Sequence, residues 1–330
     1  MTNTMKAVGY RKSLPVDHPE SLLDLTLPVP EPRPHDLLVR VEAVSVNPVD
    51  VKLRAGRDPH GEPAVLGWDA AGVVERTGDA VTLFQPGDEV FYAGSINRPG
   101  TNAQFHLVDE RLVGPKPSTL DFAAAAALPL TALTAWEALF NRLRLDDAST
   151  GTLLAVGAAG GVGSILVQLA RRLTGLTVIG SASRPASRDW VAAQGAHRVV
   201  DHHDGFAGLD DAVDHIVSPH SAGMIETYAR ILRPFGAIVA IDEPDGLELL
   251  PLKSKSIAWH WEFMFTRALH DAASSAQYDI LTEVARLVDK GVLKTTEARR
   301  LDGITAANLR TAHRIQESGG AIGKTVLAGF

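Results

Sequence analysis

The sequence predicts a two-part α/β protein: a β-rich N-terminal part, then a parallel sheet wound with helices on both faces. Three observations carry this. The chain has 330 residues, about twice the usual size of one domain. Segment 1–115 holds short β-branched runs broken by proline and glycine, whereas strand-like and helix-like segments alternate after residue 150. At 157–163 a glycine-rich turn joins one such strand to a helix.

In the first part the runs are Leu37-Leu38-Val39-Arg40-Val41-Glu42-Ala43-Val44 and Ala71-Gly72-Val73-Val74-Glu75. Turn signals fall at Pro28-Val29-Pro30, Pro32-Arg33-Pro34, Pro86-Gly87 and Pro115-Lys116-Pro117. Many short strands with frequent turns make a barrel-like or antiparallel unit. Residues 122–140 read as a helix interrupted or bent near Pro129. Strands then fall at 153–156, 177–179, 199–200, 215–217 and 237–241, with helices at 162–173 and 188–194. That alternation is the pattern of a doubly wound parallel sheet. Helical pattern returns at 281–289 and 306–317, and the chain closes on a strand at 324–327.

Composition excludes several classes. The chain is 45% hydrophobic and 22% charged, with net charge −7 spread along its length. No Lys/Arg cluster offers a nucleic-acid patch. With no cysteine, disulfides and thiolate-ligated metal sites are ruled out. The segment 1–15 carries Lys6, Arg11 and Lys12 but no apolar core, so no secretory signal is expected there. The most apolar segment, 122–140, is interrupted by Pro129, Thr131, Thr134 and Glu137, which argues against a membrane span. A cytoplasmic protein is expected.

The turn at 157–163 reads Gly157-Ala158-Ala159-Gly160-Gly161-Val162-Gly163. A tight strand-to-helix turn lets backbone N–H groups face a pyrophosphate at the positive helix end, and glycine permits the close approach. Gly157, Gly160, Gly161, Val162 and Gly163 are therefore expected to bind a dinucleotide. A fold that prefers NAD usually places an acid about 20 residues on. Here that place reads Gly180-Ser181-Ala182-Ser183-Arg184. With no acid present, the Arg184 fork and the Ser183 hydroxyl point to a 2′-phosphate. NADPH is the expected cofactor.

With both parts read, the chain resembles the medium-chain dehydrogenase/reductase superfamily, and within it the metal-free quinone oxidoreductase branch catalogued as zinc-type alcohol dehydrogenase-like. The resemblance runs through Ser45-Val46-Asn47-Pro48-Val49-Asp50, Leu66-Gly67-Trp68-Asp69-Ala70-Ala71-Gly72 and Pro86-Gly87-Asp88-Glu89-Val90. It continues through the Ala-Ala-Leu-Pro-Leu-Thr segment ending at Thr131, the glycine turn and Ile322-Gly323-Lys324. It implies a GroES-like β-barrel catalytic domain at 1–128, rejoined by 275–330, and a Rossmann domain at 129–274. It also implies a homodimer.

The same resemblance assigns roles. The zinc enzymes carry a Cys where Asn47 stands and a His where Trp68 stands, and Asp69 replaces their Glu, so no metal is expected. The run Asp201-His202-His203-Asp204 matches the family's loop near the adenosine phosphate, so His202 is read as an adenosine contact or the run as surface polar residues, ahead of a metal site. Thr134 is expected near the nicotinamide ribose, and Lys324 among the cofactor contacts. Asn47 and Lys52 are the candidate donors to a developing enolate, Asp50 is structural, and Trp68, Phe263 and Phe265 fall at the substrate pocket. For the aromatic run 259–265, core packing accounts for the pattern equally well. The implied activity is NADPH-dependent hydride transfer to a quinone or α,β-unsaturated carbonyl without metal. A zinc-type alcohol dehydrogenase and a non-catalytic NADPH-binding protein remain the alternatives.

Overall fold

In the computed structural model of the chain, which describes residues 4–271 and 273–330, the β-branched runs of the first part become strands. They are β1 (Thr4–Tyr10), β2 (Leu23–Pro28), β3 (Asp36–Ser45), β4 (Ala64–Val65), β5 (Ala70–Thr77), β6 (Glu89–Tyr92), β7 (Phe105–Asp109) and β8 (Val113–Pro115). Two helices belong with them, α1 (Pro48–Gly56) and α2 (Phe122–Ala126). Pro48 opens α1, where its missing N–H leaves nothing unsatisfied.

Helix α3 (Pro129–Trp136) passes into a π-helical stretch, Glu137–Arg142. With α2 ending at Ala126 and α3 starting at Pro129, the interruption expected near Pro129 is there, and the proline takes a first-turn place. Phe122–Arg142 is long and apolar enough to cross a membrane by length and composition, but 89% of its apolar 18-residue window is buried inside the protein. Burial marks it as core; the helix breaks only at 127–128, and Thr131, Thr134 and Glu137 do not interrupt it further.

The alternating segment gives β9 (Thr152–Ala155), β10 (Thr177–Ser181), β11 (Arg198–Val200), β12 (Val213–Ser218), β13 (Leu232–Ala240) and β14 (Ala258–Trp261). Their helices are α4 (Gly161–Leu173), α5 (Pro185–Gln194) and α6 (Ile225–Ile231). All six strands run parallel in the order β11-β10-β9-β12-β13-β14. This is the doubly wound dinucleotide-binding order, with its switch point between β9 and β12. On one side of the sheet Leu154, Ile179, Ile216, Tyr228, Ile231 and Ile238 share a buried core. The aromatic run 259–265 therefore contributes an edge strand, β14, which sequence periodicity did not register.

The rest of the chain is α7 (Thr266–His270), α8 (Ala276–Asp289), β15 (Glu297–Asp302), α9 (Ala306–Glu317) and β16 (Lys324–Ala328). Strand β16 pairs antiparallel with β3, placing the chain's last strand inside the first part's sheet. That sheet runs β15-β16-β3-β5-β6-β8, with β7 also on β3, and β2-β1-β4 form a smaller one. The chain accordingly divides into one unit of Met1–Leu130 with Phe265–Phe330 and another of Thr131–Met264.

Candidate functional site

In the second unit, β9 delivers the chain to the glycine turn. Gly157 takes φ +62°, a conformation other residues rarely adopt. A Cβ on Gly163 would lie 2.5 Å from Ala158 Cα and 2.7 Å from Gly157 O, so only glycine fits where α4 crosses the turn. Ser181, at the end of β10, braces the turn through its hydroxyl, which accepts the Gly157 amide at 2.9 Å, and its carbonyl, which accepts the Ala158 amide at 3.0 Å. The N-cap of α4 is Gly160, with no side-chain cap, and Gly161 and Val162 are half-buried. Backbone amides at the positive end of a 13-residue helix thus meet an approaching anion without a competing side chain.

Beyond β10, Ser183 is half-buried and Arg184 is exposed as the N-cap of α5. The sequence reading missed Arg188, one turn further on. Its guanidinium donates to Ala182 O and Val199 O, both at 3.3 Å, which lays it across the carboxyl ends of β10 and β11. His202 is exposed in a short 3-10 turn, and burial followed by the neighbouring His203 lowers its pKa. Asp201, His202 and His203 each bring one ligand atom within 4.8 Å of the others. Asp201 Oδ1 already accepts the His203 amide at 2.9 Å. Thr134 lies on α3 with 6% exposure.

In the first unit the motif residues close around a buried charge. Lys324, 3% exposed, donates its ammonium protons to Val46 O at 2.9 Å, Asp69 Oδ2 at 2.9 Å and Asn47 Oδ1. Asn47 Nδ2 donates to Asp69 Oδ2 at 2.7 Å and to Trp68 O at 3.3 Å. Asp69 also accepts from Ser45 Oγ at 2.9 Å and from the Leu130 amide at 2.7 Å. Asp50 is 1% exposed and accepts the Asn47 amide at 2.6 Å, half of a capping box for α1. Burial pushes the Asp50 carboxyl up to about 7, against the Asn47 amide and the Lys324 charge.

These contacts bear on three of the expected roles. Asn47 is 1% exposed and both of its amide protons are committed within the cluster, which leaves neither for a substrate oxygen here. Lys324 has three protons and three acceptors, which leaves none for a cofactor. Trp68 and Phe265, each 3% exposed, pack edge to face with ring centroids 6.4 Å apart, and the Trp68 indole donates to Ser95 O at 3.3 Å. Both rings pack in the core of this unit. A cavity of about 640 Å³ in this unit is lined instead by residues such as Leu27, Ser95, Arg98 and Phe105. Lys52 is exposed on α1, and Phe263 is 41% exposed in the second unit.

One further buried cluster was invisible in sequence. Glu137, 0% exposed, and Glu262, 5% exposed, share one site with Arg142, whose Nε donates to Glu262 Oε2 at 2.9 Å. Burial and the neighbouring Glu137 raise the Glu262 carboxyl well above its ordinary range. Glu262 therefore holds its proton to higher pH than an exposed glutamate does.

Comparison with known proteins adds the following. The alcohol dehydrogenase GroES-like domain family matches residues 33–118, and the zinc-binding dehydrogenase family matches residues 194–327. A zinc-type alcohol dehydrogenase-like protein of Staphylococcus epidermidis is 37% identical, over 98% of this chain and 99% of that protein. An NADPH-dependent alkenal/one oxidoreductase of Arabidopsis thaliana is 32% identical, over 66% of this chain and 58% of its own length. Among solved structures, a Rhizobium etli protein provisionally named a zinc-dependent alcohol dehydrogenase superposes with TM-score 0.94 at 50% identity, covering 100% of this chain and 99% of that one. The quinone oxidoreductase of Coxiella burnetii superposes with TM-score 0.85 at 25% identity, covering 99% of this chain and 100% of its own.

Proposed function

This chain belongs to the zinc-type alcohol dehydrogenase-like proteins of the medium-chain dehydrogenase/reductase superfamily, and from that premise we propose that it is an NADPH-dependent reductase of quinones or α,β-unsaturated carbonyls that works without metal. The observation that carries the reading is the glycine turn, where a positive φ at Gly157, the absent Cβ of Gly163 and an uncapped helix start admit a dinucleotide pyrophosphate. Bound there, the reduced nicotinamide supplies a hydride. Arg184 and Ser183, after β10, hold the 2′-phosphate, with no carboxylate between 180 and 184 to repel it. The named activities of the Arabidopsis and Coxiella relatives support enones and quinones as the acceptor class.

The donor set around Asn47 supports a reaction without zinc. Of the three positions, Trp68 carries no ligand atom for zinc, the Asn47 oxygen faces an ammonium, and the Asp69 oxygens accept four hydrogen bonds. Negative charge building on the substrate oxygen then needs a protein donor. With Asn47 committed, that role passes to Lys52, exposed on α1. Lys52→Ala is expected to lower kcat for an enone roughly 10- to 1,000-fold with a smaller change in KM. Native turnover by Lys52→Ala at unchanged NADPH affinity would remove Lys52 from the reaction.

A further inference from the structure

The end of the chain returns to hold α1 at both of its ends. At the C-terminal end, Arg54, 2% exposed, donates its Nε to His313 Nδ1 at 3.3 Å and pairs with Glu317, both residues of α9. At the N-terminal end, the first residue of β16 supplies the buried ammonium of Lys324. A peptide carbonyl, an amide oxygen and a carboxylate oxygen meet on that one nitrogen. Oxygens of this kind, converging on a point, make the donor set of a hard cation. We infer that Val46, Asn47 and Asp69 form an oxygen-lined cation site whose resident cation is the Lys324 side chain, and that this ammonium positions α1 and with it Lys52.

The geometry links the charge to the helix step by step. An ammonium only donates, so the Asn47 oxygen must face it, which turns the Asn47 NH₂ to Asp69 and Trp68 O. Asn47 is the N-cap of α1, and Asp50, inside the helix, accepts the Asn47 amide. Moving the ammonium therefore moves the cap on which the first turn is built. Removing it leaves Asp69, 0% exposed, without its cationic partner. Lys324 is thus a positioning residue, and the link to Lys52 rests on the function proposed above; the cation site does not.

Chemical rescue tests the inference. Lys324→Ala in the full chain opens the volume of the lysine stem, and propylammonium restores three N–H donors to it. Tetramethylammonium, equally charged but without N–H, is the control at the same ionic strength. Enone turnover with NADPH and the melting temperature are both read. The expected result is a roughly 10- to 100-fold fall in kcat with little change in the KM for NADPH, as expected when a reacting group is displaced by about 1 Å. Propylammonium should recover a substantial part of that rate and raise the melting temperature, and tetramethylammonium should do neither. Lys324→Arg should retain more activity than Lys324→Ala. Should Lys324→Ala fail to fold, the pair Lys324→Met with Asp69→Asn removes both charges; it should fold yet stay slow.

Native kcat in Lys324→Ala, equal responses to the two ammonium ions, or a fast double variant would overturn the inference. If Lys52→Ala turns over normally, the proposed donor fails while the thermal rescue still decides the cation site.

Discussion

Replacing Asp50 by asparagine tests the charge balance on which the first unit is built. Lys324 balances one carboxylate, Asp69, and leaves Asp50 as a surplus acid in the same buried cluster. Its carboxyl moves from 3.8 to about 7, chiefly because burial penalises the charged form. At about 1.4 kcal/mol per pH unit, that interval corresponds to about 4 kcal/mol. The folded state holds this proton more tightly than the unfolded chain. The resulting stability is fully present below about pH 4 and is lost as pH rises through 7, after which the curve levels. An asparagine is uncharged throughout and still accepts the Asn47 amide, so Asp50→Asn should lack this loss. Urea unfolding of both proteins from about pH 4.5 to about pH 8.5 reads the difference, in which other titrating groups cancel. The gap should grow in favour of the Asp50→Asn variant by up to about 3 kcal/mol across the range, the rest of the interval lying below about pH 4.5; the slope carries the test, since any altered hydrogen bond adds only a constant offset. Parallel curves would refute a protonated Asp50.

Two further outcomes follow from the cofactor turn. Gly163→Ala places a methyl group 2.5 Å from Ala158 Cα; the backbone must shift, lowering stability by about 1–3 kcal/mol and weakening NADPH and NADH alike, as titration of each would show. Arg184→Ala removes one charge-assisted contact worth roughly 1.5–3 kcal/mol, so NADPH should weaken roughly 10- to 150-fold while NADH is nearly unchanged; equal losses would show that Arg184 does not read the phosphate.

What the sequence made legible was local. The strand–glycine–helix order and the Ser183–Arg184 pair after β10 are set within about 30 residues by backbone constraints each residue type carries itself. The helix 306–317 coincides with α9 because apolar spacing and a Thr305 cap act within one element. What was not legible lies where distant segments meet. Lys324 lies 277 residues from Asn47, and nothing in either neighbourhood signals that one neutralises the other's cluster. Glu137 reads as a polar interruption of an apolar helix, yet it is buried in a cluster completed by Glu262, which pairs with Arg142 over 120 residues. Strand β14 escaped notice because Trp259 and Trp261 alternate with His260, an aromatic pattern that fits packing, pocket and strand equally.

The most direct test of the proposed function is the reaction itself, measured on protein whose metal content is known. Purified protein is dialysed against chelator, analysed for zinc, and assayed with NADPH against a panel of enones and quinones and with NADP⁺ against alcohols. The arrangement of Asn47, Trp68, Asp69 and Lys324 predicts NADPH oxidation with an enone or quinone that survives chelation, and no alcohol oxidation. Alcohol oxidation that depends on zinc retained by the chain would contradict it.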